Sequence, residues 1–332
     1  MTSLTEAPTT TEQLHVPADE VVVGSSRARS GLAAYVELTK PRITVLLLIT
    51  CIAGACCAAQ GLPPLATLLI TALGLAMSSG GASALNHVID RDIDRRMRRT
   101  STRPVAAGTV SAWAGTLFGI ALMVAAFVML WVSVHPITAL LAVSGGLFYV
   151  LIYTMLLKRT TVQNIVIGGA AGAVPPLVGW SAVDPGLGIG AWALFAIIFM
   201  WTPPHFWALA LLIREDYANA GVPMLPVVAG ERATVTQIWW YSIGLGLTTI
   251  LPVVFGAFGL VFLVGALMLN AWLLASVARL RRCSKETTGA LVVAGSPGHA
   301  AARQVFLRSM SYLALVFAAA VVDQAVWNVP LF

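Results

Sequence analysis

Three oxygen-bearing side chains, Asn86, Asp90 and Asp94, follow one another at intervals of four residues in a charged segment of the chain. Residues four apart in an α-helix lie on one face, and each step rises about 6 Å along the axis. Two carboxylates and an amide oxygen in such a row suit a hard cation, because Mg²⁺ binds through a few carboxylates plus the phosphate oxygens of a substrate. We therefore predict that these three residues are catalytic and bind a divalent metal.

Basic side chains that suit phosphate lie close to this row or at the end of a later apolar run. Arginine binds phosphate through a planar fork and lysine through a point charge. The four that we predict to bind a diphosphate are Arg99, Arg103, Lys158 and Arg159. The last two would otherwise anchor a helix end by snorkelling. A loop of mixed charges is usually a solvated surface, but Asn86 ends a long uncharged run, and ionisable groups at membrane depth are usually functional.

A second segment combines aromatic residues with acids. It runs from Trp201 through Pro203-Pro204, His205 and Trp207 to the acidic pair Glu215-Asp216. The two prolines are expected to break or kink the helix and to free backbone carbonyls. The aromatic residues would line a cavity for a flat ligand or form an interfacial belt, and a lone histidine is more often structural. We predict an acceptor pocket whose candidate residues are Trp201, His205 and Trp207.

The elements that carry these residues must lie in a membrane. The chain has 332 residues, of which 58% are hydrophobic and 10% charged, whereas soluble domains carry about 25% charged residues. A spanning helix needs about 20 apolar residues, so the longest uncharged runs hold two helices each. We predict an all-α bundle of nine transmembrane helices within residues 31–332. The uncharged runs are 43–89, 104–157, 160–183, 185–213 and 233–278, followed by 309–332 with Asp323 alone inside it.

The basic residues predict the orientation of the bundle. All 20 lie in the N-terminal segment or in the loops after every second span. The positive-inside rule therefore places the N-terminus in the cytoplasm and the C-terminus outside. The net charge of +6 is better explained by this topology than by binding to nucleic acid. Residues 1–30 are rich in Thr and Pro and have no apolar signal sequence, which predicts a disordered tail.

Several of these motifs together resemble one family. The Asn-x-x-x-Asp-x-x-x-Asp row after the second of nine spans is similar to that of the UbiA-type intramembrane prenyltransferases. The run from Trp201 to Trp207 points to their haem-modifying branch. The resemblance covers roughly residues 34–230. Its other matching stretches are Leu38-Thr39-Lys40-Pro41-Arg42, Arg103-Pro104, Tyr153-Thr154 with Lys158-Arg159-Thr160, Asn164 to Trp180, and Asp216-Tyr217 to Pro226.

The resemblance implies transfer of a farnesyl group from farnesyl diphosphate to a vinyl group of haem B, with hydration, giving haem O and diphosphate with Mg²⁺. It implies a multi-pass protein of the cell's inner (cytoplasmic) membrane, embedded in the lipid bilayer, with haem A synthase or terminal oxidase assembly as partners. His205 is then a candidate haem ligand. The second Asp-x-x-x-Asp of the superfamily is missing here, which leaves Glu215 and Asp216 as candidate ligands of a second metal.

Three alternatives stay open from the sequence. A related prenyltransferase would act on an aromatic quinone precursor or a chlorin, and the Pro-Pro-His-Phe-Trp segment argues against it. A membrane transporter would use intramembrane acids as an ion path, yet toward the far side the sequence has only Asp184 and Asp323. A non-catalytic assembly factor for a haem oxidase would not need the row of acids.

Overall fold

The computed structural model describes residues 31–97 and 99–326. The predicted disordered tail, residues 1–30, lies outside this range. Within it, all regular secondary structure is helical, as predicted. In chain order the helices are α1 Gly31–Leu38, α2 Pro41–Ala59, α3 Leu65–Ile89, α4 Arg91–Arg96, α5 Ala112–Ser133, α6 Pro136–Thr160, α7 Asn164–Ala173, α8 Pro175–Ser181, α9 Ile189–Leu212, α10 Arg214–Asn219, α11 Leu225–Val228, α12 Gly230–Val254, α13 Leu260–Glu286 and α14 Pro297–Val326.

Eight helices in the described part of the chain are long and apolar enough to cross a membrane: α2, α3, α5, α6, α9, α12, α13 and α14. The predicted fifth span corresponds instead to α7 and α8, which are ten and seven residues long and meet at Val174 before Pro175. Neither alone reaches the length of about 20 residues that a bilayer requires. The count of nine spans and the orientation of the termini therefore stay predictions.

The outer surface of the bundle is apolar along its long helices. Leu73, Leu117, Val132 and Leu247 are all more than half exposed. A soluble protein rarely exposes apolar side chains along so many adjacent helices, whereas lipid solvates such a surface. The chain is therefore a multi-pass membrane protein.

Glycines let neighbouring helices approach until their backbones touch. A Cβ atom at Gly179 of α8 would overlap the carbonyl oxygen of Cys51 in α2, and one at Gly54 would overlap that of Pro176. Small residues at such crossings are typical of membrane helices, which gain stability from close packing rather than from the hydrophobic effect. This contact fixes the broken α7–α8 segment against α2.

Two local features of the backbone differ from the sequence expectation. First, α9 is continuous from Ile189 to Leu212 and so is not interrupted at Pro203-Pro204. Second, α6 contains a π-helical segment, Phe148–Leu157. Segments of this kind are rare and often lie at functional sites. Here the segment brings Tyr149 and Thr154 to the row of acids.

Candidate active site

The row of Asn86, Asp90 and Asp94 lies at one end of α3 and is almost entirely inaccessible to solvent. The helix ends at Ile89 and α4 begins at Arg91, so the row spans two helices rather than one. The hydrogen-bond pattern nevertheless carries through the junction, because the Asp90 amide donates to the Asn86 carbonyl and the Asp94 amide to the Asp90 carbonyl. This continuity keeps the three side chains on the same side of the chain.

Asp90 is the centre of the site. Its Oδ2 accepts hydrogen bonds from Asn86 Nδ2 at 2.7 Å and from Lys158 Nζ at 2.5 Å. Its Oδ1 is buried and accepts no hydrogen bond from the described residues; the nearest cationic atom recorded is Arg159 Nη2 at 3.6 Å. One oxygen of the Asp90 carboxylate is therefore hydrogen-bonded, and the other is available to bind a ligand.

Arg159 lies at the edge of the site. Its guanidinium donates to both oxygens of Asp92 at 2.8 and 2.9 Å and to the carbonyl oxygen of Ile89 at 2.9 Å. Asp92 is half exposed, as the helical spacing predicts for the residue between the two buried acids. Hydrogen bonds from Arg159 hold the pKa of Asp92 at about 2. Asp92 therefore orients Arg159 and does not add a third buried carboxylate to the site.

Asp94 binds a different cation. Arg103 Nη1 donates to both of its oxygens, at 2.8 and 2.9 Å, and Thr100 Oγ1 donates to its backbone carbonyl at 3.1 Å. The loop after α4 is held in place by Arg95, which donates to the Ala106 carbonyl. Two of the four predicted diphosphate ligands, Arg103 and Lys158, thus contact the two buried carboxylates directly.

Lys40 also belongs to this site, although neither its spacing nor its neighbours in the sequence predict a chemical role. Its Nζ donates to Asn86 Oδ1 at 2.6 Å and to the Tyr149 hydroxyl at 3.2 Å. Its backbone is in the left-handed region with φ 49°, which is uncommon for a residue with a side chain. Burial, together with the positive charges of Arg103 and Lys158, lowers the pKa of Lys40 to about 7. The one signal in the sequence is its place directly before Pro41, within a stretch that matches the family.

Thr154 completes the contacts of Asn86. Its hydroxyl accepts a hydrogen bond from Asn86 Nδ2 at 3.1 Å and donates to the carbonyl oxygen of Tyr149 at 2.9 Å. The second bond joins residues five apart, which the π-helical segment allows. Tyr149 also stacks on Tyr153, with ring centroids 5.5 Å apart. Sequence periodicity cannot reveal this arrangement, because it assumes a regular α-helix.

The donor set fits a hard divalent cation that is shared with a substrate. Two buried carboxylates and one amide oxygen are present, and the open Oδ1 of Asp90 has lone pairs to offer. In the described residues, no cluster of three or more His, Cys, Asp or Glu side chains is placed to hold a metal by itself. Mg²⁺ rarely occupies an all-protein cage and takes further oxygen ligands from phosphate and water. A few oxygen ligands from the protein are therefore sufficient for it.

The second acidic segment faces the first. Tyr217 of α10 is buried in one hydrophobic cluster with Ile93 and Met97, which flank Asp94. Burial raises the pKa of Tyr217, while the charges of Arg99 and Arg103 oppose this rise and that of Asp216 adds to it. Asp216 and Arg99 are therefore near the same buried hydroxyl. Glu215 is exposed on α10, and its predicted role as a metal ligand stays a prediction, as does that of Asp216.

The three aromatic candidates for an acceptor pocket fall into two places. Trp207 is buried in the cluster that contains Ile93 and Met97, and its indole N–H has no hydrogen-bond partner among the described residues. Trp201 and His205 instead contact α14: Trp201 Nε1 donates to the Ser309 carbonyl, and His205 Nδ1 shares a 2.8 Å hydrogen bond with the Ser309 hydroxyl. Of the three, only Trp207 shares a buried cluster with residues next to the row of acids.

The acids on the far side of the bundle have structural partners. Asp323 of α14 is fully buried and accepts hydrogen bonds from the backbone N–H groups of Gly259 and Phe262, at the N-terminus of α13. Asp184 accepts from the Gly186 amide and from Trp180 Nε1. Because these two carboxylates cap a turn and a helix, they do not form an ion path. The intramembrane acids that a transporter would need on this side are therefore not available.

Comparison with known sequences identifies relatives over most of the chain. A profile of the UbiA prenyltransferase family matches residues 47–296. A Gloeobacter violaceus protein named protoheme IX farnesyltransferase is 48% identical over 297 residues, which cover 90% of this chain and 93% of that protein. A protein of the same name from Thermus thermophilus is 50% identical over 293 residues, 88% of this chain and 46% of that protein. The chain thus spans about half the length of the Thermus relative.

Solved structures share the fold. A chain from a study of digeranylgeranylglyceryl phosphate synthase in membranes matches with a TM-score of 0.71 at 17% identity, covering 89% of this chain and 99% of the other. A UbiA homolog from Archaeoglobus fulgidus bound to GPP and Mg²⁺ matches with a TM-score of 0.60 at 16% identity, covering 86% and 99%. At this level of identity, the likeness concerns the arrangement of the helices.

Proposed function

Because this chain belongs to the UbiA prenyltransferase family, we propose that it transfers a farnesyl group from farnesyl diphosphate to a vinyl group of haem B and adds water, giving haem O and diphosphate. The observation that carries the proposal is the buried carboxylate of Asp90, with one oxygen open and with cations on the neighbouring side chains. The names of the relatives that match along nearly their whole length support haem B as the acceptor.

Asp90, Asp94 and Asn86 would hold Mg²⁺, which stabilises the negative charge that develops on the departing diphosphate. The three residues are held in place for this role before any substrate arrives. Asn86 accepts a hydrogen bond from Lys40 and donates one to Asp90, and Asp94 accepts one from Arg103. A site whose side chains are already oriented does not have to reorganise during the reaction. The A. fulgidus homolog of the same fold is bound to GPP and Mg²⁺, which supports a metal-dependent reaction.

The cations have a second task in the proposal. Lys40, Lys158 and Arg103 are paired with the row in the structure, and each also has further N–H groups that can bind the phosphate oxygens that the metal leaves free. Arg159, oriented by Asp92, lies at the rim with Arg99. We assign all five to the diphosphate. Their positive charge balances a group that would otherwise be costly to bring to the edge of an apolar bundle.

The chemistry needs no covalent protein intermediate. The bond between C1 of the farnesyl group and the diphosphate oxygen breaks, and its electron pair leaves with the diphosphate. The haem vinyl group supplies the electrons for the new carbon–carbon bond, and water then adds a hydroxyl to the resulting cation and releases a proton. The packed helices would exclude water until that last step. Trp207, which shares a buried cluster with Ile93 and Met97, is the best placed of the three acceptor-pocket candidates.

We place the protein in the cytoplasmic membrane, with the row of acids on the inner side, because the basic loops lie at that end of the bundle. We propose haem A synthase or a terminal oxidase under assembly as the recipient of haem O, as the resemblance to the family implies.

The test is an assay of acceptors. Purified protein in lipid nanodiscs receives farnesyl diphosphate and Mg²⁺ with haem B, 4-hydroxybenzoate or a chlorin, and the products are measured by mass spectrometry. The proposal expects a pigment heavier than haem B by one farnesyl group and one hydroxyl group, and no prenylated product from the other acceptors. Prenylation of 4-hydroxybenzoate or the chlorin in place of haem B would assign the chain another acceptor, and no product at all would contradict the transferase assignment.

A further inference from the structure

His87 is a buried polar side chain without a hydrogen-bond partner in the part of the chain that the structure describes. It lies in α3 between Asn86 and the end of the helix, and only 2% of its surface is exposed. Neither Nδ1 nor Nε2 has a hydrogen-bond partner among the described residues. Most buried polar atoms in proteins are satisfied, and each exception calls for an explanation such as a missing ligand.

The surroundings of His87 point to the kind of ligand. One turn earlier on the same side of α3, Ala84 packs with Leu38 and Val105. This side therefore faces the segment that leads to Lys40 and the loop that follows Arg103. The positive charges of Lys40, Arg103 and Lys158 all act on the His87 ring. These are the cations that contact Asn86, Asp94 and Asp90.

Among the described residues, the N–H of this imidazole has no acceptor. Lysine and arginine side chains only donate hydrogen bonds, and a neutral imidazole carries one donor and one acceptor. A bound ligand with an oxygen or another acceptor would satisfy the donor. The three cations favour an anion for that role, and the anion of this site is the diphosphate.

We propose that His87 is a further substrate-binding residue, whose ring N–H donates a hydrogen bond to a diphosphate oxygen of the prenyl donor. The proposal rests on the function proposed above. It adds a neutral donor to the cations assigned to the diphosphate. Such a donor binds one phosphate oxygen without adding charge to the site.

The experiment compares His87→Phe, which keeps a flat ring without donors, with His87→Gln, which restores an N–H donor. His299→Phe, in the first turn of the last helix, is the matched control. Binding of inorganic diphosphate with Mg²⁺ is measured by titration calorimetry on protein in nanodiscs. In parallel, KM values are measured for farnesyl diphosphate and for haem B.

We expect His87→Phe to bind diphosphate about tenfold more weakly, because a hydrogen bond to a charged group is lost. KM for farnesyl diphosphate rises similarly, KM for haem B stays unchanged, and His87→Gln recovers most of the affinity. Unchanged diphosphate binding in a folded His87→Phe protein, or a rise confined to the KM for haem B, would overturn the inference. If the unmodified protein itself forms no haem O, the proposed function fails, whereas the diphosphate titration still decides the role of His87.

Discussion

Lys158 donates a hydrogen bond to Oδ2 of Asp90 at 2.5 Å, while Oδ1 of the same carboxylate is buried without a hydrogen-bond partner among the described residues. The two residues come from different helices, since Lys158 lies in the last turn of α6 and Asp90 at the junction of α3 and α4. The pair therefore holds a charged group at the edge of an apolar bundle and keeps one of its oxygens available. The first prediction depends on that oxygen.

Replacing Asp90 by Asn removes the negative charge and keeps the shape of the side chain. We expect Asp90→Asn to reduce turnover at least about a hundredfold, because stabilisation of the leaving group by a bound metal contributes several kcal/mol. Formation of haem O is measured by mass spectrometry at saturating substrates. The matched control is Glu286→Gln, which removes an exposed carboxylate at the end of α13. A folded Asp90→Asn protein as active as this control would exclude Asp90 as a metal ligand.

A change at Lys40 tests whether the cations next to the row of acids bind the diphosphate of the substrate. We expect Lys40→Met to raise KM for farnesyl diphosphate about tenfold, since a charge-assisted hydrogen bond to phosphate is lost. KM for haem B should not change. The control is Arg42→Met, because Arg42 is exposed on the first turn of α2. An effect of the same size in both variants would mean that general surface charge, and not the contact with Asn86, explains the change.

The contact of α8 with α2 predicts that alanine substitutions at two glycines have very different effects on stability. In Gly179→Ala the new methyl group would overlap the Cys51 carbonyl, and overpacking costs roughly 1–3 kcal/mol or more. Gly172 also lies in a helix, but a Cβ atom added there would have no neighbouring atom within 4 Å, so Gly172→Ala should leave stability unchanged or raise it. Thermal unfolding in detergent measures both. A Gly179→Ala protein as stable as the unmodified one would show that the two helices are further apart.

Substitutions of Asp323 test whether this buried carboxylate stabilises the fold or takes part in transport. We expect Asp323→Ala to lower the free energy of unfolding by about 1–3 kcal/mol, because two buried backbone donors at the start of α13 lose their acceptor. Asp323→Asn keeps one acceptor oxygen and should lose less. Haem O formation per folded molecule should be equal in all three proteins. A loss of activity without a loss of stability would indicate that Asp323 takes part in function.

Composition and charge were sufficient to predict the helical class and most of the spans. The spacing of four residues also predicted that Asn86, Asp90 and Asp94 share one side of the chain, because it depends only on the pitch of a helix. The structure divides the row between α3 and α4, and the role of its members as metal ligands stays a prediction. The predictions of class and spacing succeed since they rest on local geometry and on the cost of charge in lipid.

Features set by distant partners could not be predicted in this way. The pairing of Lys40 with Asn86 joins residues 46 apart, and the π-helical segment that carries Thr154 has no signature in a pattern of apolar residues. The continuous helix through Pro203-Pro204 contradicts an expectation of local chain breaking, because packing inside a bundle tolerates prolines. The hydrogen bonds of His205 to α14 likewise depend on a contact with residue 309.

The position of the metal is the most direct test of the proposed site. The structure of the protein is determined with Mn²⁺ and a thiodiphosphate analogue of farnesyl diphosphate, and the ion is located by its anomalous scattering. We predict an ion about 2.1 Å from Oδ1 of Asp90, bound also to the analogue, with Asp94 and Asn86 on the same ion or on a second one beside it. An ion bound elsewhere, with Asp90 still paired only with Lys158, would contradict the account.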